Sequence, residues 1–239
     1  VYPFLILLIS ISISCIDINK IPVIFDTDAN NEIDDQHALA YLFYNSATFD
    51  IRGITVNATY NGGLIDAHYE EAERIMKLCG WENKTPLLKG ANKGFNKIKC
   101  SLDSSYYDGH KAVNFIIEEA SQFSSHQKLI VLAVGKLTNV ALAVKKDPSI
   151  IPNIRLVWLG SNYPEPGEYN QENDIESLNF LLSTDITFEM VSVRYGKLSG
   201  TDFVKVTEDD VQKRIAPLGE TIATPVTGRH GGEYFSFGT

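Results

Sequence analysis

Ile21-Pro-Val-Ile-Phe25-Asp26-Thr-Asp28-Ala-Asn-Asn-Glu-Ile-Asp34-Asp35 is the stretch on which the reading of the whole chain turns. Its opening run, Ile21 to Phe25, is apolar and suits a strand buried on both faces. The strand runs straight into Asp26, Asp28, Asp34 and Asp35, and Ala38, Leu39, Leu42 and Phe43 then recur at helical spacing. So many carboxylates on one loop repel each other and hold protons tightly unless a cation neutralises them. Oxygen ligands of this kind suit a hard ion such as Ca²⁺ or Mg²⁺. The competing reading makes Asp34 a helix cap and leaves the other carboxylates solvated.

Outward from this segment, β-branched runs alternate with amphipathic stretches. Strands are expected at Ile21 to Phe25, Ile51 to Val56, Lys128 to Ala133, Ile154 to Leu159 and Ile186 to Val193. Helices are expected at Asp34 to Asn45, Leu64 to Cys79, Lys111 to Ser121, Leu137 to Lys145, Ile175 to Leu182 and Glu208 to Ile215. The alternation predicts an α/β fold, a doubly wound and mostly parallel sheet with helices on both faces. Asp147-Pro148 and Pro164-Glu-Pro166-Gly167 mark turns, but no linker or repeat separates domains, so residues 20–239 read as one domain. In such a sheet the ligand crevice lies beyond the carboxyl ends of the strands. The residues expected there are polar: Asp26 and Asp28, then Asn57 and Asn61, Gly135, and Asn162 with Glu168 and Asn170.

The chain has 239 residues, 44% hydrophobic and 21% charged, enough for a well-buried core. A formal charge of -9 repels a polyphosphate backbone, and no basic, aromatic-interleaved stripe offsets it, so nucleic acid is excluded as a partner. Val1 to Ser14 is almost wholly apolar yet short for a membrane span. Residues 1–19 therefore read as an export or lipoprotein signal remnant, which predicts a periplasmic, extracellular or lipid-anchored protein attached to a membrane only through its N-terminus. Cys15 directly follows Ser14, while Cys79 and Cys100 form a candidate pair. His37, His68, His110 and His126 read as surface or helix positions, whereas His230 lies in a Gly-rich loop. Asn57-Ala-Thr59 and Asn83-Lys-Thr85 fit the glycosylation sequon.

Two familiar loops fail against the acidic segment. An EF-hand starting at Asp26 would carry Asn31 where glycine is needed and His37 where the bidentate Glu belongs. A haloacid-dehalogenase-type phosphatase would want Thr or Val at Asn30 and a distal lysine with an acidic pair. A strand ending in Asp-Thr-Asp, followed by Asp-Asp and an Ala/Leu-rich helix, instead resembles the N-terminal signature of inosine-uridine-type nucleoside hydrolases. Val134-Gly-Lys-Leu-Thr138-Asn139-Val-Ala-Leu-Ala, Trp158-Leu-Gly160, and Asn162 with Glu168-Tyr169-Asn170 and Asp174 are similar to later segments of that family, in order. The resemblance spans roughly Ile21 to Val193.

That resemblance implies a Rossmann-like core and Ca²⁺-dependent hydrolysis of ribonucleosides to base and ribose, with Mg²⁺ the second choice of metal. It implies Asp28 as the general base and, with Asp35 and the Val134 carbonyl, a metal ligand; Asp26 supports the cluster. Asp34, Asn61 (or Asn57), Asn162, Glu168 and Asn170 would hold the sugar. The expected partners are a nucleoside or sugar and, as a homo-oligomer, further copies of the chain. Such residue types suit an oxocarbenium-like transition state, which needs negative potential, an activated water and ligands to orient the ring. The sequence departs from the pattern twice. Five residues, Ala29 to Ile33, separate Asp28 from Asp34, two more than usual, as in a divergent branch of the superfamily. No late Asp matches the family's remaining metal ligand, so the chain is read as truncated at both ends. Two other functions fit the same residues: an exported ribosyl- or sugar-binding module without turnover, and a hydrolase of another glycoside.

Overall fold

The computed structural model describes residues 20–215, 221–227 and 233–236. The expected signal segment 1–19 with Cys15, and His230, lie outside the described residues. In chain order the main elements are β1 (Ile21–Thr27), α1 (Ile33–Tyr44), β2 (Phe49–Val56), α2 (Ile65–Leu78), β3 (Leu87–Lys89), α3 (Phe95–Ile98) and α4 (His110–Ala120). They continue with β4 (Leu129–Ala133), α5 (Thr138–Lys146), β5 (Ile154–Leu159), α6 (Tyr169–Asn173), α7 (Ile175–Leu182), β6 (Thr187–Val191) and α8 (Glu208–Asp210). A hairpin of β7 (Thr221–Thr227) and β8 (Glu233–Ser236) closes the described chain.

Strands β1 to β6 form one sheet in the order β3-β2-β1-β4-β5-β6, and each pair among the first five is parallel. This is the doubly wound order in which connections reverse direction between β1 and β4, leaving a crevice at their carboxyl ends. The expected fold class is therefore the observed one. Because both faces of the sheet are covered, the middle of β1 is apolar on both: Val23 and Phe25 join one core layer, Ile24 the other. Leu39, Leu42 and Phe43 of α1, with Ala72, Ile75 and Met76 of α2, fill the first layer. Residues of α4, α5 and α7 around Val113, Ile116, Val140 and Leu178 fill the second. Asp34 and Asp35 sit in the first turn of α1, where the helix dipole favours negative charge.

By packing, the chain separates into two compact units, one reaching to Trp158 and including Asn173–Glu189, the other formed by Leu159–Glu172 with the chain from Met190 onward. Several local expectations change. The helix expected over Glu208 to Ile215 is three α-helical residues followed by a π-type turn. Cys79 and Cys100 are free thiols, so the proposed pair does not form. His68, read as a surface or helix residue, is on α2 but fully buried, because residues 68, 72, 75 and 76 share the inward face. Among the described residues no helix is long and apolar enough to cross a membrane.

Candidate active site

At the carboxyl end of β1 the pleat sends successive side chains to opposite faces of the sheet. Asp26 points toward the α5 layer and is completely buried. Its Oδ2 accepts from Thr55 Oγ1 (2.5 Å) on β2 and Asn139 Nδ2 (2.7 Å) on α5, and its Oδ1 from Asn57 Nδ2 (2.7 Å). Burial pushes its carboxyl up to about 6, the hydrogen bonds opposing the rise. Asn139 also donates to the Val56 carbonyl (3.1 Å) and accepts from Ala91 N–H (2.8 Å), so one amide joins the ends of β2 and β3 to Asp26. Thr27, on the other side of the pleat, donates Oγ1 to Asp35 Oδ1 (2.5 Å) and so holds the first turn of α1 against β1.

Asp28 differs from both neighbours. It is 1% exposed, yet neither carboxylate oxygen has a hydrogen-bond partner among the described residues. Burial first, then repulsion from Asp35, raise its proton affinity well above the ordinary carboxylate range. Asp35 is raised as well, by burial and then by Asp34. Gly135, just after β4, makes room for this arrangement: a methyl group there would lie 2.8 Å from Asp28 Oδ1 and 3.0 Å from the Asn57 amide. Asn57 Oδ1 is likewise buried without a partner. A buried carboxylate lacking donors, a second beside it and an orphaned amide oxygen form a donor set suited to a hard cation, which would neutralise the pair. Among the described residues no group of three or more His, Cys, Asp or Glu side chains is arranged to hold a metal, so backbone and amide oxygens would have to complete it.

The structure thus brings Asp28 and Asn57 together beside Gly135, with Asp26 hydrogen-bonded to Asn57 and Asp35 close enough to Asp28 to repel it. Asp34 is exposed on α1, Asn61 is exposed in the loop after β2, and half-buried Val134 donates its N–H to the Asp26 carbonyl (2.9 Å). Full burial removes Asn57 as a glycosylation acceptor, whereas Asn83 is exposed. In the second unit, Glu168 accepts backbone N–H groups from Ser161 (2.7 Å), Asn170 (2.9 Å) and Gln171 (2.9 Å). Asn162 donates to the Gly167 carbonyl and accepts from Tyr195 N–H (3.3 Å), while Asn170 donates to the Leu159 carbonyl (3.0 Å). All three therefore shape their own loop. Asp174, part of the sequence resemblance, caps α7 and accepts from Phe95 N–H (2.7 Å) and Thr138 Oγ1 (2.5 Å).

Thr55 and Asn139 carry structural weight that sequence reading did not assign. The only hint was Thr138-Asn139 at the start of α5, polar residues at the mouth of the crevice. Lys136, 3% exposed and donating to the Lys93 carbonyl (3.2 Å), also escaped notice; burial lowers its proton affinity, with Asp174, Asp108, Asp26 and Asp28 opposing.

Residues 23–233 match the family described as inosine-uridine preferring nucleoside hydrolase. Among curated proteins, the chain is 26% identical over 197 residues to a probable uridine nucleosidase 1 of Oryza sativa subsp. japonica, covering 74% of this chain and 59% of that protein. It is also 26% identical over 219 residues to a probable uridine nucleosidase 2 of Arabidopsis thaliana, covering 83% and 65%. The chain thus spans 59–65% of the length of these relatives. Among solved structures, a plant nucleoside hydrolase superposes with a TM-score of 0.62 at 21% identity, over 80% of this chain and 64% of that one. An inosine-uridine preferring nucleoside hydrolase from Bacillus anthracis gives 0.61 at 19% identity, over 81% and 70%. These two likenesses concern the fold, and the family match, which takes in nearly the whole described chain, places this protein in the inosine-uridine preferring nucleoside hydrolase family.

Proposed function

We propose that this protein hydrolyses the N-glycosidic bond of ribonucleosides, releasing free base and ribose, with Asp28 as the proton acceptor and Ca²⁺ as the metal. The observation that carries the reading is the Asp28 carboxylate, buried at the sheet's reversal point with two unpartnered oxygens. The Asp26 carboxylate is engaged by three protein donors, whereas neither oxygen of Asp28 meets one among the described residues. Asp28, Asp35 and the Val134 carbonyl would hold the cation. When bound, it would neutralise the carboxylate pair and acidify the attacking water. Asp28 would accept the proton of the attacking water, beside a crevice wall made rigid by Asp26 and Asn139. The negative potential of the buried carboxylates favours the positive charge that develops on the sugar. Asp34, and Asn57 or Asn61, are the hydroxyl ligands proposed on this side of the crevice.

Export through the N-terminal segment is proposed on its apolar composition alone. The direct test of the function is to incubate the full-length protein with Ca²⁺ and a panel of purine and pyrimidine ribonucleosides and to assay reducing sugar. Release of ribose supports the reading. No release from any nucleoside, with calorimetric binding of ribose intact, would transfer the site to a sugar-binding module.

A further inference from the structure

The acidic loop from Ala29 to Ile33 contains neither Pro nor Gly, so nothing in its own covalent structure fixes its path. It is fixed instead from outside. Asn31 N–H donates to the Asp28 carbonyl (2.9 Å), closing a turn. At the tip, Asn30 donates Nδ2 to the Gly62 carbonyl (2.7 Å) and its backbone N–H to His68 Nδ1 (3.4 Å). On the far side Gln36 Nε2 bridges the Ala29 carbonyl (3.3 Å) and Glu71 Oε1 (2.6 Å). His68 and Glu71 belong to α2, and Gly62 to the loop that leads into it. Gly62 itself is crowded: a methyl group there would fall 2.2 Å from Thr59 Oγ1 and 2.6 Å from His68 Cε1, both buried. Its carbonyl reaches Asn30 because residue 62 has no side chain.

We propose that Asn30 and His68 are positioning residues, through which α2 and its lead-in loop clamp the tip of the acidic loop and set Asp28 where it meets a cation. The inference rests on the reading of Asp28 given above and extends it to residues that touch neither substrate nor metal. His68 is fully buried, and its Nδ1 accepts the Asn30 N–H, the role on which the clamp depends.

The test compares Asn30→Ala, His68→Phe and His68→Asn with the parent protein. Phe fills the space of His68 without an acceptor, whereas Asn returns an oxygen close to the position of Nδ1. Two quantities are read: amide hydrogen exchange at residues 29–31 without metal, and calorimetric titration with Ca²⁺ alone. Asn30→Ala and His68→Phe are expected to speed exchange and to weaken Ca²⁺ binding about tenfold, the size seen when a group that orients a metal ligand is lost. His68→Asn is expected to recover most of both, which a merely structural role for the ring would not predict. Asn30 is only half-buried, so its truncation leaves the core intact. Unchanged exchange in Asn30→Ala refutes the clamp. Faster exchange with undiminished Ca²⁺ affinity overturns the proposal as well, because the clamp would then not position Asp28. A parent protein that binds no divalent cation removes the metal reading of Asp28, and the clamp itself is then decided by exchange alone.

Discussion

Replacing Asp28 with Asn separates what the site does for stability from what it does for chemistry. Both Asp28 oxygens are buried beside Asp35 with no donor among the described residues. An orphaned buried acceptor costs about 1–3 kcal/mol, and more when it is charged. Asn preserves the shape and removes the charge and its repulsion, so Asp28→Asn is expected to stabilise the metal-free protein by about 1–2 kcal/mol, or about 2–8 °C in a chain of this size. The sign with pH follows from the direction of the shift. A carboxyl whose proton affinity is raised on folding contributes stability that is present below its unfolded value and lost as pH rises through the folded one. Asp26 acts in the same sense, and its rise from 3.8 to about 6 corresponds to about 3 kcal/mol lost over that interval. The metal-free parent should therefore weaken from pH 4 upward, and the advantage of Asp28→Asn should grow with pH. Saturating Ca²⁺ reverses the order, since the parent alone gains the full binding term, about 2.7 kcal/mol at a hundredfold excess over Kd. Turnover falls about 10²–10⁴-fold, the range for loss of a general base. Melting curves at several pH values, with chelator and with Ca²⁺, read all of this. If Asp28→Asn is the less stable protein in chelator across that range, Asp28 is satisfied by something unseen and the argument for a cation collapses.

Gly135→Ala puts a methyl group 2.8 Å from Asp28 Oδ1 and 3.0 Å from the Asn57 amide; Ca²⁺ affinity measured by calorimetry is expected to drop at least about tenfold. Unaltered affinity would mean that Asp28 is not the cation's ligand. Asn139→Ala strips donors from Asp26 and Val56 and the acceptor from Ala91 N–H, and should cost about 3 kcal/mol in urea unfolding; a loss below about 1 kcal/mol would show that Asp26 does not depend on it.

What the sequence disclosed, and what it hid, follows from the range of the interactions. β1, the acidic loop and α1 are contiguous, and their order of apolar run, carboxylates and helical stripe is a local pattern. The doubly wound class follows from repeating that local pattern along the chain. β3 has only Leu87, Leu88 and Lys89, too short for any periodicity to register. Of the partners of Asp26, Asn57 was expected at the crevice, but Thr55 and Asn139 lie 29 and 113 residues away and an isolated Thr or Asn carries no mark of burial. His68 was within reach of a local pattern, since with Ala72, Ile75 and Met76 it completes an inward helical face, yet a lone His among them read as a surface or helix position. The segment Asn162 to Asn170 has a shape-forming role in the structure because Glu168 gathers three backbone N–H groups, a turn chemistry that residue type and spacing resemble as closely as they resemble a sugar site.

The tripeptide Asp26-Thr27-Asp28 gains its meaning from the pleat. Even-numbered residues of β1 face the layer of α5, and odd-numbered residues face α1, as Ile24 against Val23 and Phe25 shows. Asp26 is therefore delivered to Asn139, Thr27 to Asp35, and each is consumed in fastening a helix to the strand at the point where the sheet reverses. Asp28 lies one step past the last paired residue, facing the Gly135 gap rather than a donor. Two identical carboxylates two residues apart thus have opposite roles. The first is held by three side chains and makes the crevice rigid; the second, in a crevice made rigid by the first, keeps its oxygens for a reactant. Exchanging a carboxylate for an amide at either place removes the same charge, but at Asp26 it also disturbs a hydrogen-bonded joint, whereas at Asp28 it removes the chemistry and relieves a repulsion.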